Sequence, residues 1–303
     1  MESVTSSGCS VGIIITSHNR CVKTVACIRA LGEQQVPKDL QWYIYLADAG
    51  SDDETREAIR TLFPEVNLIE CPPNLYWCAG MRVAFAAAME GEQQHDYYLW
   101  LNDDAVLYPD AFQVLARCAG ELESKEGRAG IVVGSMRDTN TGRTTYGGLK
   151  RVSKLRPLGK QLVEPGDAPV PCDTMHGNCV LIANEVAQSV GNLSRDFVHR
   201  WGDVDYGLRA RNQGIPIWVA PGHAGECARN PRARWKDPAV SFSERLTALR
   251  DPKGVSRKEW LVYVRRHGGV LWPQYIVGLY VRAIFPQLWR WLGKGWIDTR
   301  GVG

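Results

Sequence analysis

The feature that most constrains the fold is a short apolar run that ends in acids. Tyr97–Leu101 contains only aromatic and aliphatic residues, and Asn102-Asp103-Asp104 follows it directly. Such a run is typical of a short buried strand, and in an open α/β sheet ligands bind at the carboxyl ends of strands. Adjacent acids there favour a divalent cation held against a diphosphate, because Mg²⁺ and Mn²⁺ prefer oxygen ligands. The same tripeptide also fits an Asx turn followed by a helix cap.

Strand and helix patterns alternate along the first third of the chain. Apolar runs at residues 11–16, 42–47 and 66–70 are typical of buried strands of a parallel sheet, and each is followed by polar residues and a helical pattern. Ser51 and Glu54 have the spacing of a capping box and predict the start of the second helix. The alternation predicts a doubly wound α/β unit whose polar strand ends meet at one edge of the sheet.

The later part of the chain continues this rhythm with one interruption. We expect helices at residues 110–123 and 184–190, strands at 130–135, 173–182 and 215–220, and hairpins or loops between 137 and 171. Gly177, inside one of these strands, predicts that another group approaches the backbone closely there. Asp203 stands at the expected N-terminus of a further helix.

Composition narrows the class of protein. A chain of 303 residues suits one large α/β domain with an appendage, and a net charge of +3 is too small to indicate nucleic acid as a partner. Nine cysteines without any Cys-x-x-Cys pair favour reduced thiols in a cytosolic protein over a disulfide framework or a zinc site. We expect neither a secretory signal nor a transmembrane helix.

The C-terminal segment, residues 253–303, differs from the rest. It holds nine Lys or Arg against two acids, and five tryptophans, at positions 260, 272, 289, 291 and 296. Trp beside Arg and Lys suits the interface of an anionic membrane. The alternative is a helical subdomain whose tryptophans pack in its own core or onto the preceding domain. We therefore expect an α/β domain over residues 1–252 and a helical, Trp- and Arg-rich appendage over 253–303.

Taken together, the motifs resemble glycosyltransferase family 2, the inverting nucleotide-sugar transferases of the GT-A fold. The resemblance covers residues 11–231, and each motif stands at a predicted strand end or helix start. The motifs, in order, are Thr16-Ser17-His18-Asn19-Arg20, residues 48–55, Asn74 with Gly80-Met81-Arg82, Asn102-Asp103-Asp104, and Gly202-Asp203-Val204-Asp205 with Arg209. The Asn-Asp-Asp form is most similar to bacterial rhamnosyltransferases and related enzymes of surface polysaccharide assembly. The fold implied is a Rossmann-like, mostly parallel central sheet with helices on both faces.

The resemblance implies a donor site at the first strand ends. The donor-binding residues that it implies are Thr16, His18, Arg20, Asp48, Asp53, Asn74, Arg82, Asn102 and Asp103. Alternatives stay open for four of them. Asp48 also fits a turn, Asp53 a first-turn helix acid, and Arg20 and Arg82 surface cations.

The resemblance also implies a bound Mn²⁺ or Mg²⁺ ion with Asp104 as the direct ligand. The family often has a further His ligand after the last core strand. The available residue here is His223, whereas Cys227 falls nearer the usual position. Either His223 reaches the metal through a shifted loop, or the site binds metal without a His.

Asp203 is the expected general base. Inverting transfer needs one carboxylate on the acceptor's side of the sugar ring to take the hydroxyl proton. Family members often have Glu-Asp here, and this chain keeps the Asp but has Gly202 before it. A simple N-cap is the alternative for Asp203, and Asp205 is expected to pair with Arg209 at i+4.

The expected acceptor-binding residues are His176, Gly177, Asn178 and Trp201. For Trp201, packing in the core is an equally good explanation. Trp77 also fits either stacking on a sugar or core packing.

The leading hypothesis is a metal-dependent inverting glycosyltransferase, peripheral on the cytoplasmic face of the membrane. It would transfer a sugar, with rhamnose as one candidate, from a dTDP- or UDP-sugar to a lipid-linked or polysaccharide acceptor. A sugar-phosphate nucleotidyltransferase shares the early sheet and the metal carboxylates, but residues 11–20 lack its Gly-rich phosphate loop. A non-catalytic scaffold on the same fold is disfavoured by intact Asp48, Asp104 and Asp203.

Overall fold

The fold is given by a computed structural model that describes residues 8–73, 75–153, 156–230, 235, 237, 239–249 and 254–285. The strands are β1 (Ser10–Ser17), β2 (Gln41–Asp48), β3 (Asn67–Glu70), β4 (Tyr97–Leu101), β5 (Val106–Leu107), β6 (Ile131–Arg137), β7 (Thr144–Tyr146), β8 (Gly148–Ser153), β9 (Arg156–Leu162), β10 (Val170–Pro171), β11 (Thr174–Met175), β12 (Cys179–Ala183) and β13 (Ile217–Glu226). The α-helices are α1 (Cys21–Gly32), α2 (Thr55–Leu62), α3 (Trp77–Glu90), α4 (Ala111–Glu126), α5 (Asn184–Val190), α6 (Gly202–Asn212), α7 (Phe242–Ala248), α8 (Arg257–His267) and α9 (Trp272–Ile284).

One large sheet organises the fold, with the strand order β10-β13-β6-β12-β4-β1-β2-β3. β1 pairs in parallel with both β2 and β4, β2 with β3, and β6 with β13. β12 runs antiparallel between β4 and β6. A smaller sheet has the order β11-β8-β9, and its strands β8 and β9 come from the segment predicted as hairpins or loops. The predicted α/β fold with a mostly parallel central sheet is confirmed.

Burial on both faces explains why β1 reads as an unbroken apolar run. Successive side chains of a strand point to opposite faces of the sheet. Ile14 belongs to the core on one face, whereas Ile13 and Ile15 belong to the core on the other, and all three are fully buried. Between Ser10 and Thr16 the strand therefore carries no polar side chain, as expected for a strand covered on both faces.

An aromatic cluster fixes α6 relative to β4. The rings of Trp100 on β4 and Tyr206 on α6 have centroids 4.7 Å apart in an edge-to-face arrangement. Phe85 of α3 contacts Trp100 at 5.5 Å and Tyr206 at 6.4 Å. Because all three rings are fully buried, the helix that begins with Asp203 is tied to the strand that ends in Asp103 and Asp104.

Three local predictions were wrong. Ser51 and Glu54 form no capping box, because the Ser51 hydroxyl instead accepts the backbone N–H of Asn19 at 2.9 Å. The strand expected over 173–182 is divided into β11 and β12 by a turn at residues 176–178. The strand expected to stop at residue 220 continues as β13, with register irregularities around His223, so His223 lies within a strand.

The C-terminal helices pack onto the α/β domain. Tyr263 and Val264 of α8 and Tyr275 of α9 belong to the same buried cluster as the sheet residues. Trp260 and Trp272 are partly buried against that cluster, as the packing alternative predicts for them, while Trp289, Trp291 and Trp296 lie outside the described residues. Along the described part of the chain, no helix is both long and apolar enough to cross a bilayer.

Candidate active site

A cleft of about 360 Å³ opens at the carboxyl ends of β1 and β4. This volume lies within the usual range for small-molecule sites. Ten of the residues predicted for the site line the cleft: Thr16, His18, Arg20, Asn102, Asp103, Asp104, His176, Gly177, Asn178 and Asp203. The topology therefore brings together one wall of donor-type residues and one wall that contains Asp203.

The acids after β4 are paired with Arg20. Its Nη1 lies 2.9 Å from Oδ1 of Asp103 and 3.0 Å from Oδ2 of Asp104. Burial raises the pKa of Asp103 to about 6, against the lowering effect of Arg20 and with a further raising effect from Asp104. Lys23 adds a second cation, 3.6 Å from Asp104. The cleft thus holds two neighbouring carboxylates, and Arg20 and Lys23 partly balance their negative charge.

The paired carboxylates fit a partial metal site. Within the described residues, no group of three or more His, Cys, Asp and Glu side chains is placed to hold a metal ion. Mg²⁺ is commonly held by only one or two carboxylates together with substrate phosphates. Asp103 and Asp104 match that donor set, which depends on the diphosphate to complete it.

The structure does not bring His223 to Asp104. Since β13 continues to Glu226, His223 is fixed in the strand, and its Nε2 lies 2.9 Å from the Thr144 hydroxyl. Cys227, just after the strand, is the residue beside the acids, with Sγ 3.5 Å from Oδ1 of Asp104. Burial and Asp104 raise the pKa of the Cys227 thiol. The prediction of His223 as a metal ligand therefore differs from the observed geometry.

Asp203 faces the cleft from the first turn of α6. Its Oδ2 accepts the backbone N–H of Gly177 at 2.9 Å, and its Oδ1 accepts that of Val204 at 2.7 Å. The N-cap position belongs to Trp201, so the alternative of a simple N-cap does not describe Asp203. The two backbone bonds orient the carboxylate across the cleft from the β4 acids.

Trp77 explains why residue 177 is glycine. A Cβ atom on Gly177 would lie 2.5 Å from the Trp77 ring, closer than real contacts allow. Trp77 also donates from Nε1 to Oδ1 of Asn102 at 2.7 Å. The predicted close approach to the Gly177 backbone is therefore made by Trp77, which links the β4 end to the Asp203 wall.

Asp48, at the end of β2, does not itself line the cleft, but it has one carboxylate oxygen without a partner in the described part of the chain. Asp48 is buried, and its Oδ2 accepts the backbone N–H of Ser51 at 2.9 Å. Its Oδ1 has no hydrogen-bond partner among the residues described. The next residue, Ala49, lines the cleft. Buried polar atoms without partners are rare, so this oxygen is a candidate ligand contact.

Asp53, Arg82 and Trp201 also lie outside the cleft lining, as Asp48 and His223 do. Asp53 accepts the Thr55 hydroxyl and backbone N–H, and it precedes Glu54, the N-cap of α2, so it is not a first-turn helix acid. Arg82 donates to the carbonyls of Ser194 and Phe197 at 3.0 Å each. Trp201 is buried against Tyr263 rather than open to an acceptor. Asn74 lies outside the described residues.

Several cleft residues were not predicted from the sequence: Tyr76, Tyr146, His199, Arg200 and Asn230. His199 and Arg200 precede Asp203 by three to four residues, and that proximity was the available signal. Tyr146 ends β7, in a segment whose sequence indicated only hairpins.

The mostly parallel sheet, with paired acids after β4 that lie across the cleft from a third acid at the start of α6, has the α/β architecture of the GT-A fold. The model of the family described as Glycosyl transferase family 2 matches residues 12–186, more than half of the chain. The chain therefore belongs to this family and is a glycosyltransferase. Comparison of the sequence with curated proteins finds no match.

Solved structures of S. aureus TarS are similar in fold. TarS 1-349 has a TM-score of 0.53 and 12% identity, covering 92% of this chain and 82% of that chain. The same fragment in complex with UDP-GlcNAc has a TM-score of 0.53 and 11% identity, covering 94% and 73%. For a longer TarS structure the TM-score is 0.52 and the identity 11%, over 84% of this chain. This chain spans only 42% of that longer TarS chain.

The raised pKa of Asp103 predicts a pH-dependent stability. Between about pH 4 and 6 the folded protein holds a proton on Asp103 that the unfolded chain releases, so this group lowers stability as pH rises through that window. Asp103→Asn lacks this effect. We expect the melting temperature of the variant, relative to wild type, to increase from pH 4 to pH 7 in parallel thermal melts. A difference that stays constant with pH would contradict the assignment.

Proposed function

We propose that the protein is a metal-assisted, inverting glycosyltransferase that uses a UDP- or dTDP-sugar and a glycan or lipid-linked glycan acceptor. One observation supports this most strongly. Asp203 and the pair Asp103 and Asp104 line the same cleft from different elements. The cleft is therefore bordered by a carboxylate that could take a proton and by two carboxylates that could hold a metal ion against a diphosphate. Sugar transfer requires both around one space.

The unused Oδ1 of Asp48 supports recognition of a pyrimidine base. Uracil and thymine both present an imide N–H that a carboxylate accepts. Thr16 and His18 would contact the base from the end of β1, where Thr16 Oγ1 is already oriented by its bond to the Ala47 carbonyl at 3.1 Å. The TarS fragment crystallised with UDP-GlcNAc supports a uridine donor by likeness of fold.

The diphosphate would lie between Arg20 and the β4 acids. Asp104, with Asp103, would hold Mn²⁺ or Mg²⁺, which when bound supplies Lewis-acid stabilisation of charge on the departing diphosphate. Arg20 adds a fixed positive charge at the same place, since it contacts both acids. Asn102, held by Trp77, supports the donor sugar.

Asp203 would accept the proton of the acceptor hydroxyl. Gly177 fixes one carboxylate oxygen through its backbone N–H, so the carboxylate is oriented before the acceptor arrives. His176 and Asn178 flank Gly177 and line the cleft beside it. These three residues form the acceptor wall in this proposal. Rhamnose, from the resemblance of the Asn-Asp-Asp motif, and N-acetylglucosamine, from the TarS complex, are the two sugars to test first.

We also propose that the protein binds the cytoplasmic face of an anionic membrane through its C-terminal helices. Val277 and Ile284, seven residues apart and so on one face of α9, are 62% and 39% exposed, and Val270 just before the helix is 93% exposed. Arg265 lies over the Trp272 ring at 5.0 Å. Exposed apolar side chains flanked by cations suit an anionic lipid surface. Nine free thiols fit a reducing compartment.

The role of Asp203 is tested by Asp203→Asn. The amide keeps the shape but cannot take a proton, so we expect turnover to fall by about two to four orders of magnitude. The affinity for UDP or dTDP should stay nearly unchanged. Asp167→Asn, at an exposed position, is the control. Near-normal turnover of Asp203→Asn in a transfer assay would exclude Asp203 as the base.

Membrane binding is tested by the double variant Val270→Asp with Val277→Asp. The substitutions remove exposed apolar area and add negative charge, so partitioning onto phosphatidylglycerol vesicles should weaken by roughly tenfold or more. Val152→Asp changes a valine on β8 that is 55% exposed, and it should leave partitioning unchanged. Equal binding of the double variant and wild type in a flotation assay would contradict this surface.

A further inference from the structure

We propose that helix α8 positions the catalytic base, and that Asp205, acting with Arg266 and His267, is a positioning residue for Asp203. This inference rests on the proposed function, because it assigns Asp203 as the base. It gives the C-terminal region a role in the transfer step itself, besides any role at a membrane.

A buried ion cluster connects α6 to α8. Asp205 is fully buried, and its Oδ1 accepts from Arg266 Nη1 at 2.7 Å and lies 2.8 Å from His267 Nε2. Its Oδ2 accepts from Arg209 Nε at 2.9 Å. Burial alone would raise the pKa of Asp205, but the bonds from His267 and Arg266 hold it below its ordinary value. Both carboxylate oxygens are therefore occupied, chiefly by groups from α8.

The position of Asp205 makes this cluster relevant to the base. Asp203 and Asp205 are two residues apart in the first turn of α6, and residues two apart on a helix point to nearly opposite sides. Asp203 consequently faces the cleft while Asp205 faces α8. Any rotation or shift of the helix start would move both carboxylates together, so an anchor on Asp205 also fixes Asp203.

A second contact with α8 holds the turn before Asp203. Trp201 has a φ of 69°, in the left-handed region that bulky residues rarely adopt. Its ring stacks on Tyr263 at a centroid distance of 4.6 Å and an interplanar angle of 22°. Tyr263 is held in turn by the Lys160 ammonium, which lies 2.5 Å from its hydroxyl. Packing against α8 therefore stabilises the strained residue that leads into the base.

The inference is tested by Asp205→Asn and His267→Leu, with His267→Gln as the conservative variant. Displacing a catalytic group by about 1 Å typically costs about 100-fold in rate. We expect kcat to fall by about that factor in the first two variants and to recover partly in His267→Gln. The Kd for UDP should be unchanged, because the donor residues lie at the ends of β1, β2 and β4. Wild-type kcat in Asp205→Asn and His267→Leu would overturn the inference.

Two controls separate positioning from a general loss of stability. Arg266 also pairs with the exposed Asp196, whose Oδ2 lies 2.7 Å from Arg266 Nη2. Asp196→Asn removes the charge of this partner alone and should leave kcat unchanged. Leu115 of α4 belongs to the core on the opposite face of the sheet. Leu115→Ala should create a cavity there and lower the free energy of unfolding, without lowering kcat per folded molecule. A kcat loss in Leu115→Ala equal to that in Asp205→Asn would overturn the inference.

A double-mutant cycle provides a readout that a merely structural role would not change. If Asp205 acts through Asp203, adding Asp205→Asn to Asp203→Asn should reduce kcat little further. Fully additive losses would overturn the positioning role. Retained turnover in Asp203→Asn alone would instead overturn the proposed function, so the two failures are distinguishable.

Discussion

The cleft depends on the ion pairs between Arg20 and the two carboxylates at the end of β4, Asp103 and Asp104. β4 lies between β1 and β12, and its side chains are apolar until Asn102, so Asp103 and Asp104 emerge where the sheet meets the cleft. Removing charges from water is costly, and Arg20, from the start of α1, offsets part of that cost by contacting both. The pairing joins the β1 end to the β4 end, and the Trp100–Tyr206 contact extends that connection to α6.

Residues that follow a strong local pattern were predictable from the sequence. The buried strands show as apolar runs, and polar residues at their carboxyl ends located Thr16, Asp103 and Asp104 in the cleft. The place of His223 within a strand was not predictable, because Pro221 and Gly222 are typical of the end of a strand, whereas β13 passes through them with irregular register. Arg82 satisfies carbonyls more than a hundred residues away, a contact that no local pattern reveals. Hydrophobic periodicity also does not predict the positive φ of Trp201.

The C-terminal helices share their core with the α/β domain. The composition of the C-terminal region distinguished it from the α/β domain, and composition alone favoured an appendage beginning at residue 253. Tyr263 and Val264 share the main core, and Arg266 and His267 of α8 contact the buried Asp205 carboxylate together with Arg209 of α6. A buried carboxylate is tolerated when its lone pairs are satisfied. The helix that carries Asp203, α6, and the helix that follows the predicted boundary, α8, are thus joined by a buried ion cluster.

The proposed function requires the cleft to bind a nucleotide diphosphate together with a divalent metal ion. The most direct measurement is thermal stabilisation of the full chain by UDP, dTDP, GDP and ADP, each with and without Mn²⁺ or Mg²⁺, in wild type and in Asp104→Ala. A ligand at about a hundred times its Kd adds roughly 2.7 kcal/mol to the free energy of unfolding. We expect a metal-dependent shift with UDP or dTDP that is lost in Asp104→Ala. No shift with any nucleotide, or the same shift without metal and in the variant, would contradict the account.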